Sequence, residues 1–145
     1  MATKSSAFSL IELLVVIAII GILSATGVLT YQGYISGTKK KATENAMQQI
    51  ALAQTEEFSN TGDYYYTSAD TDTCSPTKDT SQAINANLFD GGEIIADKSG
   101  YHVCTVQLGT SYIVVAEEIK SAAAKADACV MSMTANSVWT RNKNC

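Results

Sequence analysis

The hydrophobic residues of the chain are concentrated in one segment near its N-terminus. Residues 8–29 contain a single charged side chain, Glu12. An α-helix of this length extends about 33 Å, which is enough to cross the hydrocarbon core of a bilayer. The pattern therefore predicts a membrane-length helix that is apolar on nearly every side.

The pattern stays helical beyond this segment, but only one face remains apolar. Apolar residues recur mostly at spacings of three, four and seven, with lysine, glutamate and glutamine between them. They are Tyr31, Tyr34, Ile35, Ala42, Ala46, Ile50 and Ala53. Gly62 follows Asn60 and Thr61 and suits the position just after a helix end. We therefore predict one long helix from about Ser9 to Ser59, amphipathic in its second half.

The strands of the chain are predicted in its C-terminal part, as two antiparallel pairs. Residues 101–108 and 111–119 flank Gly109 and Thr110, a two-residue connection typical of a β-hairpin. Residues 129–133 and 138–141 form the second predicted pair. With the long helix, these strands predict an α+β fold in which the second half of the helix packs on a small antiparallel sheet.

The connections of this domain have polar or small-residue composition. Residues 67–83 are rich in Thr, Ser and Asp and contain the only proline, Pro76, so a loop is predicted there. Residues 121–127 are rich in alanine and predict a linker or a short helical turn. Tyr64, Tyr65 and Tyr66 are interpreted as residues that cover the core.

Charge limits the classes of partner. The chain has 145 residues with ten Lys or Arg against 14 Asp or Glu, a net charge of −4. Dedicated nucleic-acid binders usually carry a basic domain, so binding to DNA is possible but unsupported. The run Lys39, Lys40 and Lys41 is interpreted as a solvated face or a contact with lipid headgroups. A contact with DNA or with another subunit is the alternative.

The cysteines indicate an oxidising compartment. Cys74, Cys104, Cys129 and Cys145 all lie in the polar part, and none forms a C-x-x-C pair. An even number of cysteines in a small domain beside a membrane-length segment favours disulfides over a zinc site. The residues alone leave all three pairings open.

Candidates for catalysis are scarce in the sequence. There is one histidine, His102, and no recognisable pairing of a nucleophile with a base or phosphate-binding loop. Asp70 and Asp72 are potential oxygen ligands for calcium, but their spacing lacks the glycine and the distal glutamate of an EF-hand loop. We therefore predict no enzyme, no cofactor and no metal site.

Glu12 is the anomaly of the hydrophobic segment, because a carboxylate within a bilayer costs a few kcal/mol. A plain membrane anchor would tolerate it only near the interface. A secretory signal peptide cut near residues 23–25 would release a soluble domain, but a glutamate is unfavourable at the start of its apolar region.

A third interpretation rests on resemblance to a family. Residues 7–14 read AFSLIELL, which resembles the prepilin peptidase site of type IV pilins, and the similarity continues to about Tyr34. The resemblance implies cleavage between Ala7 and Phe8, N-methylation of Phe8, and pairing of Glu12 with the new amine during assembly. The family usually has glycine where this chain has Ala7, and proline where it has Leu29.

The resemblance also implies an organisation of the chain. It predicts a leader peptide at residues 1–7, a filament-core helix at 8–30, an amphipathic helix at 31–60, and a disulfide-containing head at 61–145. The implied location is the inner membrane before assembly and an extracellular fibre afterwards. The implied partners are identical subunits, prepilin peptidase, the pilus assembly machinery and, before assembly, membrane lipid.

Two further inferences follow from the resemblance. Pilins commonly join a cysteine of a late strand to one near the C-terminus, which implies Cys129–Cys145 and leaves Cys74–Cys104. The implied function is a structural subunit of a type IV pilus, serving adhesion, motility or DNA uptake. A minor pilin, a pseudopilin of type II secretion, and a tethered binding module that never polymerises are the alternatives.

Overall fold

One long helix dominates the fold. The computed structural model describes residues 8–145 and, within this helix, all side chains except those of Leu29 and Gln32. Helix α1 (Leu10–Thr61) continues through Gly27 without a break. It ends where Gly62 adopts a φ of 85° and donates its amide hydrogen to the Phe58 carbonyl, at 2.9 Å. The glycine suits this position because it lacks the Cβ that disfavours positive φ.

The chain divides into two compact units, Met1–Thr38 and Lys39–Cys145. Residues 10–38 of the first unit are helical. The second unit contains the remainder of α1 and all the other elements, and we call it the head.

The head contains a four-stranded antiparallel sheet in the order β1-β2-β3-β4. The strands are β1 (Tyr101–Leu108), β2 (Ser111–Glu118), β3 (Val130–Thr134) and β4 (Trp139–Arg141). Gly109, with a φ of 59°, lies in the β1–β2 turn, and a 3₁₀ helix (Ala122–Asp127) connects β2 to β3. The predicted α+β fold class, a long helix packed on a small antiparallel sheet, is confirmed.

The core of the head lies between α1 and one face of the sheet. Alternation along β2 buries Tyr112, Val114 and Ala116, and β3 contributes Met131 and Met133. Alternate side chains of a strand point to the same face, so these residues form one apolar surface.

Helix α1 contributes a face on which polar residues are also buried. Its buried residues are Thr43, Glu44, Ala46, Met47, Ile50 and Gln54. The side-chain amide of Gln54 donates to the Tyr65 carbonyl at 2.6 Å, and its oxygen accepts the Tyr65 amide at 2.8 Å. These bonds compensate for the burial of a polar side chain. Of the residues predicted on the apolar face, Ala46 and Ile50 are buried, whereas Ala42 is exposed.

One prediction for the head is wrong. The segment at residues 67–83, predicted as a loop, contains the start of a second helix, α2 (Lys78–Leu88). Thr77 caps this helix: its hydroxyl accepts the Thr80 amide at 3.2 Å, and the Thr80 hydroxyl accepts the Thr77 amide at 2.9 Å. The cap satisfies amide groups that a helix start otherwise leaves unbonded. The Thr80 hydroxyl also donates to the Val103 carbonyl at 2.7 Å, which ties α2 to β1.

Candidate functional site

The N-terminal part of α1 presents a continuous apolar surface. Large side chains such as Leu10, Ile22 and Leu23 are between 65% and 81% exposed. An apolar surface of this length is stable only in lipid or against other apolar segments. By length and composition this helix is able to cross a membrane.

Glu12 lies in the first turn of this surface. Its carboxylate accepts the backbone amide of Ser9 at 2.8 Å, as a residue in the first turn of a helix commonly does. Phe8, the residue predicted to carry the new amine, is adjacent to Ser9 and is 81% exposed. Ala7, on the other side of the predicted cleavage site, lies outside the described residues.

The three consecutive lysines make different contacts within the head. The Lys40 ammonium donates to the backbone carbonyl of Cys145 at 2.7 Å. Lys41 is paired with Glu44 at 2.7 Å. The Lys39 side chain packs against Gly100, where an added Cβ would come within 3.0 Å of its Cδ. Lys39 and Lys40 therefore contribute contacts between α1 and the rest of the head, a role that their charge alone did not indicate.

Glu44 forms the main charged contact between α1 and β4. Its side chain is 9% exposed and is ion-paired both to Lys41 and, at 2.9 Å, to Arg141. Burial raises the pKa of Glu44, but the hydrogen bonds and charges of Lys41 and Arg141 outweigh it, so the pKa lies below its usual value. Arg141 also lies over the Trp139 ring, 5.4 Å from its centre.

The pair of Glu44 and Arg141 was not predicted from the sequence. Glu44 is one of the glutamates that lie between the apolar positions of the predicted helix, and 97 residues separate it from Arg141. The signal in the sequence that could have indicated burial of Glu44 was its position beside Thr43 and about one turn before Met47, both of which are buried in the head.

The structure joins the cysteines in two pairs. Cys74 is bonded to Cys104, 30 residues apart, and Cys129 to Cys145, 16 residues apart. The first bond ties the segment before α2 to β1. The second holds the segment after β4 against the start of β3, where Lys40 also contacts it.

The remaining candidates for chemistry do not assemble into a site. Among residues 8–145, no three His, Cys, Asp or Glu side chains are arranged to hold a metal ion, and this includes Asp70 and Asp72. His102 lies in a cleft of about 160 Å³ that also contains Glu117 and Lys125. Glu117 forms an ion pair with Lys125 at 3.8 Å, and Glu118, which also lines the cleft, forms one with Lys120 at 3.3 Å.

The N-terminal sequence matches one family model, the prokaryotic N-terminal methylation motif, over residues 2–28. No curated protein matches the chain, and no solved structure does. The motif indicates a structural subunit rather than an enzyme, and it implies processing by prepilin peptidase and use by pilus-type machinery. The predicted resemblance is confirmed: the chain carries the class III signal of type IV pilins, which supports a pilin-like or pseudopilin precursor, and its α+β fold is consistent with the pilin fold.

Proposed function

We propose that this protein is a structural subunit of a type IV pilus, cut between Ala7 and Phe8, methylated on Phe8, and polymerised through its N-terminal helix. The methylation motif supports processing, and the exposed apolar surface of α1 supports polymerisation. In this proposal residues 1–7 are the leader, 8–30 the filament core, 31–60 the amphipathic helix and 61–145 the globular part.

The single observation that carries the proposal is the apolar length of α1 with one carboxylate at its tip. Moving this helix from lipid into a bundle of identical helices changes its apolar surroundings little. Packing and polar contacts therefore decide the arrangement. Glu12 compensates the amine that cleavage creates on Phe8, since an unpaired charge among apolar helices is costly.

The location follows from the same proposal. Before assembly α1 anchors the protein in the inner membrane with its head outside the cytoplasm, and after assembly the protein is part of an extracellular fibre. The two disulfides support the oxidising compartment. The lysine run, which the positive-inside rule would place in the cytoplasm, is engaged within the head instead.

Shearing of cells tests the proposal. The protein is expected as the abundant component of the sheared fibre fraction, and a periplasmic enzyme serves as the control for lysis. Trace amounts in that fraction would indicate a minor pilin. Complete retention in the membrane fraction would contradict polymerisation into a surface fibre and favour a pseudopilin or a tethered binding module.

A further inference from the structure

One stretch of the head contains carboxylates but no lysine or arginine. Between Lys41 and Lys78 the chain contains six acidic residues and no Lys or Arg. Glu44 is the only one of the six with an ion-pair partner among residues 8–145. The other five, which we name the acidic end, are Glu56, Glu57, Asp63, Asp70 and Asp72.

The opposite end of the head is basic. We name Lys39, Lys40, Lys98 and Lys143 the basic end, and within residues 8–145 none of them forms an ion pair with an Asp or Glu side chain. Lys39 packs against Gly100, two residues from Lys98. Lys40 contacts Cys145, two residues from Lys143. These contacts gather the four cations at the level where α1 enters the head.

Contacts along α1 establish that the two ends are apart. The Tyr112 hydroxyl donates to the Ala51 carbonyl at 3.3 Å, which places the sheet beside the middle of this part of α1. The Asp72 amide donates to the Gln107 carbonyl at 2.9 Å, near the far end of β1. The 17 residues from Lys40 to Glu57 correspond to about 25 Å of helix.

We propose that the acidic end of one head docks against the basic end of a second copy of this chain. The inference rests on the proposed function, because it describes a contact between neighbouring subunits of the fibre. Ten basic and 14 acidic side chains in the chain leave nine and 13 in the head once Lys4 and Glu12 are set aside. Two heads therefore repel one another unless they approach in an orientation that pairs opposite charges.

Charge complementarity favours a second copy of this chain as the partner. Two parallel heads at the same height would place acidic end beside acidic end and basic end beside basic end. A second head displaced along the direction of α1 instead brings its basic end to the acidic end of the first. Such a contact joins two different patches, so it can repeat without closing, as a fibre requires. Complementary charges mainly set register and partner choice. Because screening limits them to about 8 Å at physiological salt, they act only after the ends approach.

Charge reversal in cells that make the full-length protein tests the contact. Glu56→Lys with Asp63→Lys reverses the acidic end, and Lys98→Glu with Lys143→Glu reverses the basic end; all four side chains are exposed. Each pair is expected to lower the sheared fibre yield about tenfold, and all four changes together to restore it to within about threefold of wild type. Asp79→Lys with Gln82→Lys and Ala86→Lys adds the same charge as the acidic-end pair on the exposed side of α2, and is expected to assemble normally.

Four outcomes overturn the interface. The interface is ruled out if both reversed pairs assemble normally. It is also ruled out if the variant with all four changes gives no more sheared fibre than either pair alone. If the basic-end variant gives an unchanged fibre yield but its fibres bind less DNA than wild-type fibres, the basic end is assigned to DNA instead. A processed wild-type protein that never enters fibres contradicts the proposed function, and the interface with it. If a reversed variant does not accumulate in the membrane, Glu56→Gln with Asp63→Asn is scored in its place, with a loss of about threefold expected.

Discussion

Glu12 and Glu44 are carboxylates of the same helix in opposite surroundings. Glu12 lies in an exposed apolar turn and accepts one backbone amide. Glu44 is buried between two cations. A charge without a partner is tolerated in water but not in an apolar interior. Under the proposed function Glu12 therefore acts when the helix enters the fibre, whereas the ion pairs of Glu44 already form within the head.

Replacement of Glu12 by glutamine is expected to leave membrane insertion intact and to lower fibre yield about tenfold or more. The substitution keeps an oxygen for the Ser9 amide and removes only the charge. One charge-assisted hydrogen bond contributes about 1.5–3 kcal/mol, which sets this magnitude. Glu93→Gln, the same substitution at an exposed position of the head, is the control. Normal piliation of the Glu12→Gln strain contradicts the pairing role.

Acid is expected to destabilise the head through Glu44. Its pKa is lowered in the folded protein, so its contribution is complete above the unfolded value of about 4.5 and disappears as pH falls through the folded value. Unfolding of the detergent-solubilised chain, followed by the fluorescence of Trp139, measures this. Glu44→Gln is expected to flatten the dependence below pH 4.5 and to cost about 1–2 kcal/mol at neutral pH. An unchanged pH dependence rules the contribution out, and Glu56→Gln is the exposed control.

At the scale of elements, the success of prediction followed the strength of each periodic pattern. Helix α1 and strands β1 and β2 carry long, regular patterns of apolar residues, and all three were predicted. Helix α2 is short, and only Ser81 and Ile84 of it are buried. Its composition therefore resembled a loop, and the reciprocal cap between Thr77 and Thr80 was overlooked.

The Thr77 cap is expected to contribute measurably to the head. Thr77→Ala removes the side-chain acceptor for the Thr80 amide and is expected to lower the free energy of unfolding by about 1 kcal/mol. Denaturant titration detects this difference. Thr73→Ala, at an exposed position of the preceding segment, should change stability by less than about 0.5 kcal/mol. Equal effects of the two substitutions would remove the argument for the cap.

At the scale of the whole molecule, the chain combines a helix that requires other molecules with a head that supplies its own core. The methylation motif was recognisable from the sequence because residues 7–14 carry a local signal that does not depend on folding. The contacts that hold the last residues against α1 were not, since Lys40 is 105 residues from Cys145. Sequence periodicity contains no information about pairs this distant.

The Cys129–Cys145 bond is expected to hold these last residues in place. Replacing both cysteines by serine is expected to cost about 3 kcal/mol in the chain-entropy model and to increase proteolysis after Arg141. Peptide mapping of the untreated protein without reduction tests the pairing itself. A peptide joining Cys74 to Cys129 would falsify it.

The mass of the mature N-terminus tests the central claim most directly. Protein from the sheared fibre fraction is digested, and its N-terminal peptide is analysed by mass spectrometry. The account predicts a chain that starts at Phe8 with one added methyl group, which places Glu12 fifth. An uncut chain that retains Met1, or one that starts near Thr26, would contradict it.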